Sequence, residues 1–315
     1  MRILEESSDN PSAFLALNAG NSHFTVPGLV GVITYREAGR RLVQFGGPVG
    51  DPRLLTEFTG FAKTRRRKVV AIQVQAHDVP VYERAGFTVN QVGASYAVDL
   101  AQFTLRGKKF VRLRNKIARA TRSGLGVKEV DQRDWDDRMR ALDARWLASK
   151  GKHAKELEFL VGEYGGEHQP LRRLFVGTIE GDLAGYVSYS PAYGSRPGWL
   201  HDLSRRLPDG PPGVMETINS TAIDTFRSEG AEWLHFGFTP FTGLSDAHAT
   251  ATRSGWFAWL VRQLAARGAA VYPAATQLAY KDKWAPHAVI PEYIAFQGRA
   301  SLYGFLQVFN AANAL

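Results

Sequence analysis

The stretch "LFVGTIEGDLAGYVSYSPA" (174–192) carries the strongest signal for the fold class. Its two halves are rich in β-branched and aromatic residues and are separated by the polar turn 180–182, so it predicts a β-hairpin. The following "PGWLHDLS" (197–204) predicts another strand. After a turn rich in proline and glycine, residues 213–230 predict a helix and "AEWLHFGF" (231–238) predicts a strand. Hairpin, strand, helix and strand in this order indicate a mixed α/β (α+β) fold.

The same order occurs earlier in the chain, which indicates two similar halves. Residues 28–47 predict a hairpin, residues 51–68 have the apolar spacing of a helix, and "VVAIQVQ" (69–75) predicts a buried strand. "YERAGF" (82–87) resembles the late helix-to-strand turn of Gcn5-related N-acetyltransferases, and the hairpin at 174–192 resembles their central hairpin. We therefore expect a tandem of two acyltransferase-like lobes of this GNAT type.

The expected lobes cover residues 1–105 and 125–315, and the second is expected to be catalytic. A long basic helix, residues 106–124, is expected to join them. This helix has one apolar stripe, and residues 106–122 contain eight basic residues and no acidic residue. Such a row predicts contact with a polyanion, either nucleic acid or an acidic membrane. A solvated amphipathic helix is the alternative.

The overall composition favours a polyanionic partner as well, because the net charge is +9. The chain has no cysteine, which excludes disulfides, thiolate catalysis and cysteine-ligated zinc. The histidine spacing gives no metal motif, so we expect neither a metal nor a cofactor. The N-terminus has acidic residues where a signal peptide is basic, and no apolar run is long enough to span a membrane. We expect a cytoplasmic protein with at most peripheral contact with the inner membrane.

The turn "RRLPDGPPG" (205–213) lies where a single-lobe acetyltransferase binds the pyrophosphate of coenzyme A. That binding uses backbone N–H groups at the start of a helix. Pro211 and Pro212 have no N–H to donate, so the turn predicts a poor coenzyme A site. Arg205 and Arg206 offer side-chain anion binding in its place. A well-capped surface loop is the alternative.

Nearly the whole chain resembles the C-terminal catalytic domain of the multiple peptide resistance factor family, the phosphatidylglycerol lysyl- and alanyltransferases. The resemblance runs from "FGGPVGDP" (45–52) to "YKDKWAPHAVIPEYIAF" (280–296). Between them lie "LRNKIARATRSGLGV" (113–127), "WLASKGKHAKELEFLVGEY" (146–164) and "DLSRRLPDGPPGVME" (202–216). The resemblance implies that aminoacyl-tRNA, not coenzyme A, is the acyl donor. The amino acid would pass from the tRNA 3′ end to an acceptor hydroxyl.

The resemblance also implies catalytic residues. Asp202 and Arg205 fall on the family's Asp-x-x-Arg motif, and Glu156 falls on a family acidic position. We expect Asp202 to bind the donor's α-amine, Glu156 to help define the amino-acid pocket, and Arg205 to hold a phosphate near the 3′-terminal adenosine. On this basis Asp202→Ala is expected to abolish transfer while leaving folding intact.

Substrate-binding residues follow in the same way. Lys281 and Lys283 fall on the family's Tyr-Lys-x-Lys-aromatic motif and would bind phosphate or the oxyanion of the tetrahedral intermediate. Arg206 is a further substrate-binding candidate. The tRNA acceptor stem would lie on the basic helix, through Lys108, Lys109, Arg112, Lys116 and Arg119.

Four points stay open from the sequence alone. The acceptor is either a phosphatidylglycerol head group or a soluble small molecule with a hydroxyl or an amine. The alternative function is a coenzyme A-dependent N-acetyltransferase of the GNAT type. His201 is a possible general base, although a strand histidine is more often packed in a core, and the aromatic residues Trp256, Phe257 and Trp259 are predicted to be core rather than a lipid-docking face.

Overall fold

One mixed β-sheet organises the protein. A computed structural model describes residues 1–151, 155–267 and 274–314. In these ranges the sheet contains eleven strands in the order β1-β2-β3-β4-β11-β5-β10-β9-β8-β7-β6. Their bounds are β1 Ser22–Val26, β2 Leu29–Ala38, β3 Arg41–Gly50, β4 Lys68–Gln75, β5 Phe87–Asp99, β6 Gly126–Val130, β7 Arg173–Ile179, β8 Asp182–Ala192, β9 Gly198–Arg206, β10 Trp233–Pro240 and β11 Ala288–Gln297.

Helices pack on both halves of this sheet. Their bounds in the described ranges are α1 Arg2–Ser7, α2 Leu54–Thr64, α3 Val79–Arg84, α4 Val111–Arg122, α5 Asp136–Ala148, α6 Val214–Ser228, α7 Gly255–Arg267, α8 Ala274–Asp282 and α9 Leu302–Ala311. Helices α4, α6 and α8 share one apolar cluster, through Leu113, Ile218 and Leu278 among others. Helices α7 and α9 share another, in which Phe257 contacts Phe305 edge-on at 5.2 Å between ring centroids.

The repeated order predicted from the sequence is present as two parallel strand pairs. Strands β3 and β4 pair in parallel and are joined through α2, and β9 and β10 pair in parallel and are joined through α6. Two parallel strands need such a crossover, because the chain must run back to the end of the sheet where the first strand began before the second strand starts. The hairpin predicted at 174–192 is β7–β8, and the predicted helix at 213–230 is α6.

The C-terminal strand joins the two halves of the chain. β11 lies between β4 and β5 and pairs antiparallel with both. The segment 288–297, which belongs in sequence to the expected second lobe, is therefore part of the sheet formed by the first hundred residues. The lobe boundaries at residues 105 and 125 stay a prediction.

Two predicted helices are shorter than expected. The basic helix predicted from residue 106 begins as a 3-10 turn at Lys108–Phe110 and continues as α4 from Val111. It ends at Gly124 as expected, because this residue adopts a positive φ of 82°. The sequence of residues 12–20 also predicts a short helix, and the structure has only a 3-10 turn there, Ala13–Leu17. The stretch 254–268 predicts an aromatic-rich helix, and its last residue, Gly268, lies outside the described residues.

The N-terminus of α6 is closed by contact with α4. Gly213 caps the helix with a φ of 100°, and a Cβ there would lie 2.2 Å from the carbonyl oxygen of Lys116. Only glycine meets both demands, because a side chain is strained at positive φ and would also overlap the facing backbone.

Gly213→Ala is therefore expected to lower the free energy of unfolding by about 2–4 kcal/mol. Gly230→Ala is the matched control, because Gly230 has a φ of 83° with no atom within 4 Å of its would-be Cβ. Its substitution is expected to lower the free energy of unfolding by about 1 kcal/mol from backbone strain alone. Urea denaturation of both variants measures the difference, and equal losses would contradict the close approach of α4.

Candidate active site

A cavity opens where β9 and β10 separate. These strands pair only from Gly198–Leu200 to Trp233–His235, and both are irregular beyond that point. Residues of both strands line a cavity of about 250 Å³ together with residues of α8. The lining residues whose side chains can bind a ligand or take part in a reaction are Gln73, His201, Asp202, Arg205, Tyr280 and Lys281. The predicted motif residues Asp202, Arg205 and Lys281 thus meet at one cavity.

Two β-bulges place polar residues at this cavity. On β9, His201 pairs with Tyr189 and Leu203 with Ser188, so Asp202 is the extra residue. On β4, Val74 and Ile72 pair with consecutive residues of β11, so Gln73 is the extra residue and adopts a φ of 58°. Bulges turn a side chain out of the regular alternation and are common beside functional sites. The buried Oε1 of Gln73 has no hydrogen-bond partner among the described residues, so it is free for a ligand.

Asp202 forms a buried ion pair with Arg172, not with Arg205. Arg172 Nε lies 3.3 Å from Asp202 Oδ2, and both side chains are fully buried, at 1% and 0% exposure. Arg172 also donates to Asn18 Oδ1 at 2.8 Å. Gly162 covers the carboxyl group, since a Cβ there would lie 2.5 Å from Asp202 Cγ. Burial raises the pKa of Asp202 to about 6, although the charge of Arg172 opposes this effect.

Arg205 lies at the cavity wall and Arg206 lies outside it. The guanidinium of Arg205 stacks 4.1 Å from the ring centroid of Trp146, and its Nη1 donates to the Ser204 carbonyl at 3.0 Å. Its buried Nε has no hydrogen-bond partner in the described part of the chain. Arg206 is exposed and bonds weakly to the Leu207 carbonyl. Only the first of these adjacent arginines therefore faces the cavity.

Lys281 is the buried amine of the site. Its Nζ donates to the carbonyls of Gly237 at 2.6 Å and Phe238 at 3.1 Å, which face it where β10 is irregular. Burial lowers the pKa of Lys281 to about 7, against the opposing effect of Glu292. Glu292 on β11 is itself buried and accepts a hydrogen bond from Ser95. Burial raises the pKa of Glu292 to about 7.

Lys283 has a different environment from Lys281. Its Nζ lies 3.2 Å from Glu216 Oε1, and Lys116 of α4 lies 3.1 Å from the same oxygen. Glu216 is in the first turn of α6, so this cluster ties α4 and the segment after α8 to the start of α6. Of the two lysines of the Tyr-Lys-x-Lys motif, Lys281 therefore lies at the cavity and Lys283 lies in an ion cluster.

Glu156 lines a second cavity of about 520 Å³, to which the segment 157–163 also contributes. This cavity also contains Asp143, Tyr164 and Arg140, and it shares Leu203 and Arg205 with the first cavity. Burial raises the pKa of Asp143, whose Oδ1 accepts a hydrogen bond of 2.7 Å from Tyr186. The second cavity therefore has an acidic wall beside Arg205.

Three of the five predicted nucleic-acid residues lie on one face of α4. Arg112, Lys116 and Arg119 follow the helical spacing of four and three residues, and Arg112 and Arg119 are exposed. Lys116 is 42% exposed because of its contact with Glu216. Lys108 and Lys109 are exposed in the preceding 3-10 turn.

Several site residues were not identified from the sequence. Arg172 lies between a 3-10 turn and β7, where no periodicity marks it, and Glu292 is the acidic residue of a strand that otherwise predicts core. In the sequence Trp146 is one of several apolar residues of α5, and no motif marks it as a site residue. The aromatic prediction was partly wrong, because Phe257 is buried whereas Trp256 and Trp259 are 48% and 62% exposed. Helix α7 packs against the core on one face only, so these two indole rings are exposed to solvent.

The fold defined by this sheet is similar to that of FemX. The crystal structure of FemX superposes on 95% of this chain and 92% of its own chain, with a TM-score of 0.53 and 11% identity. The chain belongs to the family described as phosphatidylglycerol lysyltransferase, C-terminal, which matches residues 1–296. This confirms the resemblance drawn from the motifs.

Relatives of the chain agree with this assignment. The structure of L-PGS from Bacillus licheniformis covers 98% of this chain and 94% of its own, with a TM-score of 0.78 and 22% identity. The phosphatidylglycerol lysyltransferase of Bacillus subtilis is 26% identical over 281 residues, which are 86% of this chain and 31% of that protein. The MprF-like domain protein Rv1619 of Mycobacterium tuberculosis is 23% identical over 246 residues, which are 74% of this chain and 51% of that protein. The matched regions thus span 31% and 51% of the lengths of these two relatives. Within the described ranges, no helix has the length and apolar character that crossing a bilayer requires.

Proposed function

We propose that the protein transfers an amino acid from aminoacyl-tRNA to a hydroxyl or amine of an acceptor molecule. The observation that carries this proposal is the pairing of two features at the β9–β10 opening. The cavity contains a buried amine, Lys281, while the helix N-terminus that would bind coenzyme A packs closely against α4 at Gly213. Family membership supports an aminoacyl donor.

The start of α6 is unsuited to a pyrophosphate. The backbone of Gly213 lies against the Lys116 carbonyl, and Glu216 places a carboxylate in the first turn. A pyrophosphate there would meet the Lys116 carbonyl, which is itself an acceptor, and would have to disrupt the ion cluster of Glu216, Lys116 and Lys283. The same geometry argues against the alternative, a coenzyme A-dependent N-acetyltransferase. We keep the tandem of two GNAT-like lobes as part of this proposal, with the parallel pairs β3–β4 and β9–β10 as its support.

Lys281 is the proposed general base. In its neutral form both hydrogens are donated to the Gly237 and Phe238 carbonyls, which leaves the lone pair for a substrate proton. The acceptor's O–H or N–H proton would pass to Nζ as its O or N attacks the ester carbon. The ester bond to the tRNA ribose then breaks, and the ribose oxygen takes a proton. A pKa near 7 suits this exchange.

The arginine and acidic residues bind and orient. Arg205 is proposed to bind a phosphate near the tRNA 3′ end. Its Nε has no hydrogen-bond partner among the described residues, and its guanidinium stacks on the ring of Trp146. Glu156 and Asp143 form the acidic wall proposed for the donor's amino-acid moiety. Asp202 is proposed to act by position, since its carboxyl group is covered by Gly162 and paired with Arg172. The acceptor is proposed to be a phosphatidylglycerol head group or a soluble hydroxyl- or amine-bearing molecule.

The exposed face of α4 is the proposed contact for the tRNA acceptor stem. Arg112→Ala combined with Arg119→Ala removes two charges from this face. Because each lost phosphate contact lowers the dependence of affinity on salt, the slope of log K against log salt is expected to fall by about two. Filter binding of charged tRNA across salt concentrations measures it.

The matched control removes two charges elsewhere. Arg133→Ala combined with Arg138→Ala gives the same net charge, and both residues are exposed near the start of α5. The control is expected to retain the wild-type slope. Equal effects of both double variants, or the absence of tRNA binding at low salt, would contradict the proposed contact. Preferential binding to anionic vesicles would assign the face to a membrane.

A further inference from the structure

A second polar network lies beside Lys281 and is centred on His201. Its Nδ1 lies 3.0 Å from Oδ1 of Asn219, a fully buried residue of α6. Asn219 Nδ2 donates to the Met215 carbonyl at 3.0 Å and to the hydroxyl of Tyr280 at 2.6 Å. Tyr189 donates to Asn219 Oδ1 at 2.8 Å. The Asn219 amide is therefore bonded on both sides.

This network fixes which ring nitrogen of His201 carries hydrogen. The Met215 carbonyl can only accept, so the amide nitrogen of Asn219 must face it and the amide oxygen must face His201. An amide oxygen also only accepts, so Nδ1 is the protonated nitrogen of the ring. In the neutral ring, Nε2 then holds the lone pair.

Nε2 is available to a ligand. It has no hydrogen bond to any residue in the described ranges, and His201 stays partly accessible at the cavity that Lys281 also lines. Burial lowers the pKa of His201 to about 4, and the nearby Lys281 acts in the same direction. The ring is therefore neutral at pH 7, and Nε2 accepts rather than donates.

We propose that Nε2 of His201 accepts a hydrogen bond from a second O–H or N–H hydrogen of the acceptor substrate, one that Lys281 does not remove. This inference rests on the proposed function and names the residue that selects its acceptor. An O–H or N–H group satisfies the lone pair. A carboxylate or phosphate oxygen placed there would oppose another acceptor and leave both groups unpaired. The subsite therefore selects acceptor groups that donate a hydrogen bond.

The tautomer can be measured without any substrate. Imidazole ¹⁵N NMR of the full chain at pH 7, with His201→Gln to assign the signal, is expected to show Nδ1 protonated and Nε2 bare. His235 is the internal control, because its Nε2 lies 2.9 Å from the Arg196 carbonyl and must carry hydrogen. The two buried histidines should thus show opposite tautomers. A protonated Nε2 in His201 would overturn the inference.

The role in binding is measured by two substitutions. His201→Phe keeps a ring without an acceptor and is expected to lower kcat/KM for the acceptor by about tenfold to a hundredfold, mainly through KM. His201→Gln offers an amide oxygen and is expected to restore most of the loss. Unchanged kinetics in a folded His201→Phe variant would overturn the inference. If no charged tRNA supports transfer, the proposed function fails, whereas the NMR result still decides the tautomer.

Discussion

Lys281→Met is expected to lower kcat for aminoacyl transfer by about a hundredfold to ten-thousandfold, the range typical of a lost general base. Methionine is similar in length and apolar, so it fills the same buried space without an amine. Burial lowers the pKa of Lys281 from 10.5 to about 7, so the neutral amine predominates only above that pH. The wild-type kcat is therefore expected to rise with pH up to about 7 and then level off. Transfer rates measured between pH 5 and 9 test both statements.

Lys283→Met is the matched comparison, since both lysines belong to one motif. The Nζ of Lys283 pairs with Glu216, and Lys116 stays bonded to the same carboxylate in the variant. We expect less than about a tenfold change in kcat and an unchanged pH profile. A wild-type rate that falls through pH 7 would show that the ammonium form is active, as in oxyanion binding, and would remove Lys281 as the base.

Arg172→Met is expected to lower the free energy of unfolding by about 3–5 kcal/mol, because it leaves the Asp202 carboxylate buried without its partner. The pKa of Asp202 is already raised from 3.8 to about 6 in the folded protein, and losing Arg172 raises it further. A raised pKa means that protonation stabilises the folded state, so stability is lost as pH rises through the folded-state pKa. The destabilisation is therefore expected to be larger at pH 8 than at pH 5. Urea denaturation at both pH values measures it.

Asp202→Asn completes a double-mutant cycle with Arg172→Met. The single variants are each expected to be destabilised, and the double variant by less than their sum, because neither charge then lacks a partner. The expectation that an Asp202→Ala protein folds normally is thus replaced, since it would leave the Arg172 charge buried. Both single variants are expected to lose transfer together if Asp202 acts by position. Additive stabilities, or loss of transfer in Asp202→Asn alone, would contradict the pair's role.

Local patterns were sufficient to predict much of the fold. The hairpin β7–β8 and helix α6 have alternation, helical spacing and turn residues that point to one structure. The position of β11 in the sheet was not predictable, because the sequence of an apolar strand does not indicate which strands it pairs with. Pairing across some two hundred residues is decided by the assembled core.

Several residues of the candidate site were predictable from the sequence, but the interactions that each of them makes were not. Asp202 and Arg205 belong to one motif, three residues apart, but the carboxyl group of Asp202, at the bulge, pairs with Arg172, thirty residues away in sequence. Lys281 and Lys283 are equivalent in a motif, and only the end of α8 between them sends one to the cavity and one to Glu216. Bulges and helix ends depend on tertiary packing, so spacing alone did not determine them.

The most direct test of the central claim is a transfer assay with the choice of acyl donor left open. The protein is incubated with a cell extract that supplies acceptors and with a pool of tRNAs charged with radiolabelled amino acids, and in parallel with radiolabelled acetyl-CoA. We predict enzyme-dependent loss of label from one charged tRNA, its recovery in a non-tRNA product, and no transfer from acetyl-CoA. Labelled product from acetyl-CoA, with every charged tRNA left intact, would contradict the account.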